Sequence, residues 1–106
     1  PQETSKGGVI VADLVLELSV KAREKFSKWD GEGHIEITRI GPVMRHKAAL
    51  VAGGKPEDPG SCIELKQEGI TLWVPNDMAF EGDKVRVDVK GMFWSTMVLV
   101  ETALLD

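Results

Sequence analysis

Apolar residues recur at helical spacing in one stretch of this chain. Ala22, Phe26 and Trp29 fall at i, i+4 and i+7 of "VKAREKFSKW" (20–29), while Lys21, Arg23, Glu24, Lys25 and Lys28 take the other side. That stripe predicts a single amphipathic helix of about three turns, roughly 15 Å long. Ser19 stands at the N-cap position, where a hydroxyl accepts from the free N–H groups of the first turn. Gly31 and Gly33 in "DGEG" follow as stop residues. A chain with one short helix must build the rest of its core from strands.

The remaining apolar runs fit that requirement. "VIVADLVLEL" (9–18) is rich in Val and Leu and reads as one or two strand segments, with Asp13 as a break. "HIEITRI" (34–40) puts Ile35 and Ile37 on one face and Glu36 and Thr38 on the other. "KAALVAG" (47–53) is the next strand, its Ala-Ala pair allowing close packing. "CIELK" (62–66) and "ITLWV" (70–74) flank "QEG" (67–69), a hairpin turn with Gly69 supplying the positive φ. Val85, Val87 and Val89 of "KVRVDV" (84–89) alternate inward. "KG" (90–91) reads as a two-residue turn and "MFWSTMVLVETALL" (92–105) as one long final strand. "GGKPEDPGS" (53–61) and "PNDMAFEGD" (75–83) are loops by composition. The expected architecture is α+β: a mostly antiparallel, curled, barrel-like sheet with one short helix packed on it. Phe26 and Trp29 are expected to dock the helix, and Phe93 or Trp94 to fill the inner face of the sheet.

At 106 residues the chain is expected to hold one domain over 9–106, after a flexible tail at 1–8. A net charge of −4 argues against nucleic acid or an anionic membrane as the partner, since both demand a basic surface. No apolar run approaches the ~18 residues of a membrane span, and no signal peptide is read at the start. A single cysteine makes no internal disulfide, which fits a reducing, cytoplasmic setting.

Chemistry-bearing residues are few. Cys62 is the one thiol, and Glu57, Asp58 and Glu64 near it in sequence would raise its pKa. It is therefore read as a small strand-start residue, with a metal-binding role only across a homodimer interface. His34 shares a strand face with Glu36, yet a metal site needs three or four ligands, so His34 is expected to be an exposed strand-start residue. Arg45, His46 and Lys47 follow the Gly41-Pro42 turn and form a basic trio suited to an anion such as phosphate or a carboxylate. "GGK" (53–55) lacks the spacing of a phosphate loop. Glu57, Asp58, Asp77, Glu81 and Asp83 are loop carboxylates read as solubilising and turn-forming. No nucleophile with an adjacent base is legible, so no enzyme activity, metal or cofactor is expected.

"LVLELSVKAREKFSKW" resembles the opening of the HesB-like, or A-type iron–sulfur carrier, family: a short strand, a Ser or Thr cap, then a helix. "HIEITRIGPVMRHKAALVAGGKPEDPG", "QEGITLWVPNDMA" and "EGDKVRVDVKGMFWSTMVLV" resemble the family's later strands, and the likeness spans roughly 13–100. It implies a HesB-like fold. One branch of the family carries Cys-Cys-Gly-Pro or selenocysteine at the first turn, and "RIGPV" looks like that turn with the cysteines replaced. The family's Cys-x-Cys near the C-terminus has no counterpart in "ETALLD", and Cys62 matches none of the ligand positions. Clusters need several thiolates, so no functional residue of the family carries over. The expected function is a non-catalytic module that binds a protein or a small anionic ligand. The alternatives are an iron or Fe–S carrier using Cys62 across a homodimer interface, and a small OB- or SH3-like barrel.

Overall fold

The computed structural model describes residues 14–40, 46–92 and 95–105. The order is β1 (Val15–Leu18), α1 (Val20–Lys28), β2 (Glu32–Ile40), β3 (His46–Gly53), β4 (Cys62–Gln67), β5 (Ile70–Pro75), β6 (Ala79–Phe80), β7 (Lys84–Met92), β8 (Ser95–Val100) and β9 (Ala103–Leu104). Seven strands form one sheet in the order β1-β7-β8-β3-β2-β5-β4, and β6 with β9 makes a separate two-stranded ribbon. No described helix is long and apolar enough to cross a membrane.

The sheet is mixed. Most neighbours are antiparallel, as expected, but β1 runs parallel to β7 and β2 parallel to β5. Both parallel pairs join segments far apart in sequence, because a parallel neighbour cannot be reached by a tight turn. Local alternation reveals a strand without revealing which distant strand lies beside it.

The two edges of the sheet, β1 and β4, meet through one side chain. The Leu16 N–H donates to Gln67 Oε1 at 3.3 Å, and Gln67 Nε2 donates to the Leu16 carbonyl at 2.7 Å. The carboxamide thus reproduces one rung of a ladder and brings the curled sheet to near closure. Inside lie Leu16, Ile35, Ala49, Val51, Leu65, Leu72, Val74, Val85, Val87, Val98 and Val100, all buried. The alternation at 84–89 and 70–74 is honoured: Val85, Val87, Leu72 and Val74 are fully buried.

The helix covers this core. Ser19 is its N-cap, extended at φ −68° and ψ 166°, and its hydroxyl accepts from the Ala22 N–H at 3.1 Å. The same hydroxyl hydrogen-bonds the Asp88 carboxylate on β7, which holds that carboxyl below its ordinary range; the Val89 N–H adds to the effect. At the other end Gly31 N–H donates to the Phe26 carbonyl (2.7 Å) and Asp30 N–H to that of Ser27 (3.3 Å), with Asp30 at φ 57°. This is the double bond pattern of a Schellman stop. Gly31 is therefore a stop residue as read, whereas Gly33 lies inside β2. Phe26 is fully buried and packs edge-on against Trp29 with centroids 5.2 Å apart. Trp29 in turn rests on Gly53, where an added Cβ would sit 2.6 Å from the indole.

Several boundaries differ from those read in the sequence. Lys90 and Gly91 do not turn; they continue β7, pairing with Met97 and Thr96. Alternation ends at Val89, yet the strand goes on because β8 supplies partners. Phe93 and Trp94, expected on the inner face, lie outside the described residues, as do the tail at 1–8, the segment 9–13 and the Gly41-Pro42 turn. The long final strand breaks at Glu101 and Thr102 into β8 and β9. The β4–β5 turn is tighter than three residues: Gln67 pairs with Ile70, and Glu68 (φ 52°) and Gly69 (φ 81°) make the two-residue turn with positive φ at both positions. The stretch 75–83, read as irregular, holds β6 and a 3-10 turn at Glu81–Asp83.

Two measurements test the closure of the sheet. Gln67→Ala leaves the part-buried Leu16 N–H and carbonyl without partners and lowers stability by about 1–3 kcal/mol, read as a reduced urea midpoint with faster amide exchange at Leu16. Glu17, opposite Arg86 in the β1–β7 pair, bonds Arg86 Nε at 3.1 Å and lies 3.4 Å from Lys84 Nζ. The hydrogen bonds from Arg86 and then Lys84 hold its carboxyl below the usual glutamate range. The folded chain thus favours the ionised form, so the contribution is complete above the ordinary glutamate range and is lost as pH falls through the lowered folded value. Glu17→Gln removes that part of the acid-side loss in a pH series of thermal melts.

Candidate functional site

The inward face of β2 enters the core at Ile35 and emerges again at Ile37, which is 49% exposed. On β3, paired with β2, Val51 and Ala49 are buried on one face and Lys47 extends that face toward solvent. The core thus runs out at this end of the sheet, and a pocket of about 400 Å³ opens there. Its lining is Ile37, Lys47, Pro75, Asp77, Met78, Leu104 and Leu105. Four large apolar side chains are markedly exposed among the described residues, Val15, Val20, Ile37 and Leu104, and two of them line this pocket. Apolar walls carrying a few polar groups are the usual make-up of a ligand site.

Of the basic trio expected to hold an anion, Lys47 lines this pocket. His46 opens β3, paired with Ile40, and Arg45 lies outside the described residues. Asp77, read as a solubilising loop residue, is the pocket's other charge. Among the described residues it forms no ion pair with Lys47. Ile37, Leu104 and Leu105 were not legible as site residues, because their juxtaposition depends on the packing of the β6–β9 ribbon. The exposed Ile37 so near the Gly-Pro turn is the one local signal.

His34 departs from expectation. It is 9% exposed rather than a solvated strand-start residue. Its Nε2 lies 2.8 Å from Glu36 Oε2, confirming the shared strand face, and its Nδ1 lies 2.9 Å from the Gly54 carbonyl. Both partners accept; a neutral ring donates to one of them and a protonated ring to both. The parallel pairing of His34 with Trp73 on β5 is what covers it, and that pairing is invisible in the local sequence. Trp73 also donates its indole N–H to Glu32 at 2.7 Å. The ring of His34 is thereby committed to holding β2 against the turn after β3.

Cys62 begins β4 opposite Pro75, next to the pocket, and is partly buried. Burial pushes its thiol pKa up, a hydrogen bond with Ser61 works the other way, and the charges of Asp58 and Asp77 push it further up. Asp58 was legible in the sequence; Asp77 acts through space. Among the described residues no group of three or more His, Cys, Asp or Glu side chains converges as a metal site. A second cavity, about 300 Å³, lies between α1 and the β7–β8 hairpin, lined by Lys21, Glu24, Lys25, Lys28, Val89, Gly91 and Thr96. Lys21, Lys25 and Lys28 dominate its charge, and none of the four markedly exposed apolar side chains lines it, whereas Ile37 and Leu104 both line the Lys47 pocket.

No family model matches the chain, and no curated protein matches it. Among solved structures the chain is similar to the crystal structure of Escherichia coli SufA, described as involved in biosynthesis of iron–sulfur clusters. The identity is 15%, the match covers 83% of this chain and 80% of that one, and the TM-score is 0.49. No residue of this chain takes a role from that likeness.

The thiol supplies the prediction here. Cys62 reacts with iodoacetamide at pH 8 more slowly than free cysteine, because its proton is held. Asp58→Asn combined with Asp77→Asn speeds the reaction, as mass spectrometry of the alkylated fraction will show.

Proposed function

We propose that this domain is a non-catalytic binding module and that the Lys47 pocket is its site, taking the anionic group of a small ligand. One observation carries the reading: Lys47 lines a cavity of about 400 Å³ together with the half-exposed side chains of Ile37 and Leu104. A lysine ammonium beside exposed aliphatic side chains can receive a carboxylate or phosphate while the ligand's body displaces water from those side chains. In this reading the chain uses a HesB-like scaffold for binding instead of cluster carriage.

The test is a nitrogen-15 NMR titration with 4-methylpentanoate, a branched carboxylate. Shifts are expected at Ile37, Lys47, Met78, Leu104 and Leu105. Lys47→Gln weakens the apparent affinity about two- to fivefold, the range set by one solvent-accessible ion pair. Lys25→Gln, on the distant helix, changes nothing. Equal affinity in the Lys47→Gln protein, or shifts centred elsewhere, sinks the assignment.

A further inference from the structure

Among the described residues, two charged side chains of opposite sign, Lys47 and Asp77, line the pocket, and they form no ion pair with each other. Asp77 is also near enough to Cys62 to act on it electrostatically. A plain carboxylate entering this space gains Lys47 and meets the repulsion of Asp77. A plain amine gains Asp77 and meets Lys47. A molecule that carries both groups close together, on an apolar body, gains from both charges and is repelled by neither once oriented. The apolar body has Ile37, Leu104, Leu105 and Met78 to rest on. The volume, about 400 Å³, stands at the small end of ligand pockets.

We propose that the ligand of the Lys47 pocket is a small apolar zwitterion, an amino acid of the leucine type or its dipeptide. The carboxylate faces Lys47, the ammonium faces Asp77, and the branched side chain lies on Ile37 and Leu104. This rests on the pocket being an anion-accepting site, and it adds the second charge and the chemical class.

The test sets four probes against the intact domain in parallel nitrogen-15 NMR titrations: L-leucine, 4-methylpentanoate, 3-methylbutylamine and leucyl-leucine. Leucine is expected to bind about two- to fivefold more tightly than either single-charge analogue, as one exposed ion pair permits. Asp77→Asn brings leucine down to the level of 4-methylpentanoate, and Lys47→Gln brings it down to that of the amine. Both positions are exposed, and the unchanged spectrum of the remaining residues confirms that each variant is folded. Tighter binding of leucyl-leucine than of leucine supports the proposal with the dipeptide as occupant; the reverse supports it with the free amino acid. If 4-methylpentanoate binds as well as leucine and still depends on Lys47, the anion site stands and the zwitterion is overturned. If no probe shifts the pocket residues, both readings fall.

Discussion

The carboxamide of Gln67 stands where a further strand would otherwise have to be. β1 is four residues long and pairs on one side with β7. Its other edge offers backbone groups to β4, and Gln67 meets the N–H and the carbonyl of the same residue, Leu16. An amide side chain can do this because it carries a donor and an acceptor about as far apart as those of a peptide unit. Without it both edges of a curled sheet would present unpaired polar groups beside a core of Val and Leu. The buried positions of Leu16 and Leu65, one on each edge strand, depend on that seam staying shut.

The helix is fastened to the same seam. Its C-terminal stop places Gly31 against the β4–β5 turn, with the Thr71 N–H donating to the Gly31 carbonyl at 2.7 Å. A Cβ on Gly31 would approach the Gly69 carbonyl to 2.8 Å, so only glycine allows this contact. Arg23 reaches Glu68 of the same turn at 2.9 Å, an exposed pair worth little by itself. Phe26 and Trp29 then carry the helix over the open end of the sheet onto β2 and β3. Helix, turn and seam form one mechanical unit, and the Lys47 pocket lies where β2, β3 and the β6–β9 ribbon extend past the core.

Local physics made much of this legible. Period-two valines announced β7, the Ser19 hydroxyl announced the helix start, and the 3.6-residue stripe named Phe26 and Ala22 as the buried side. Long-range pairing was not legible, and the larger departures trace to it. His34 is buried because β5 runs beside β2 in parallel. Gly91 continues a strand because Thr96 waits opposite it. Asp77 belongs to the pocket because the chain after β5 folds back beneath β9. A residue's own neighbours in sequence carry no record of such partners. Of the basic trio, Lys47 lines the pocket, and Arg45 lies outside the described residues.

The two-residue turn at Glu68 and Gly69 also decides how this gene can change in length. One extra codon there must be absorbed as a bulged three-residue loop or else shifts β4 by a residue against β5, sending Gln67 to the opposite face and out of the seam. The stretch between Gly54 and Asp58, mostly exposed and outside any strand pairing, carries no such register condition and tolerates changes of length better. Insertions and deletions among descendants of this chain should therefore accumulate in the acidic loop and be purged from the hairpin.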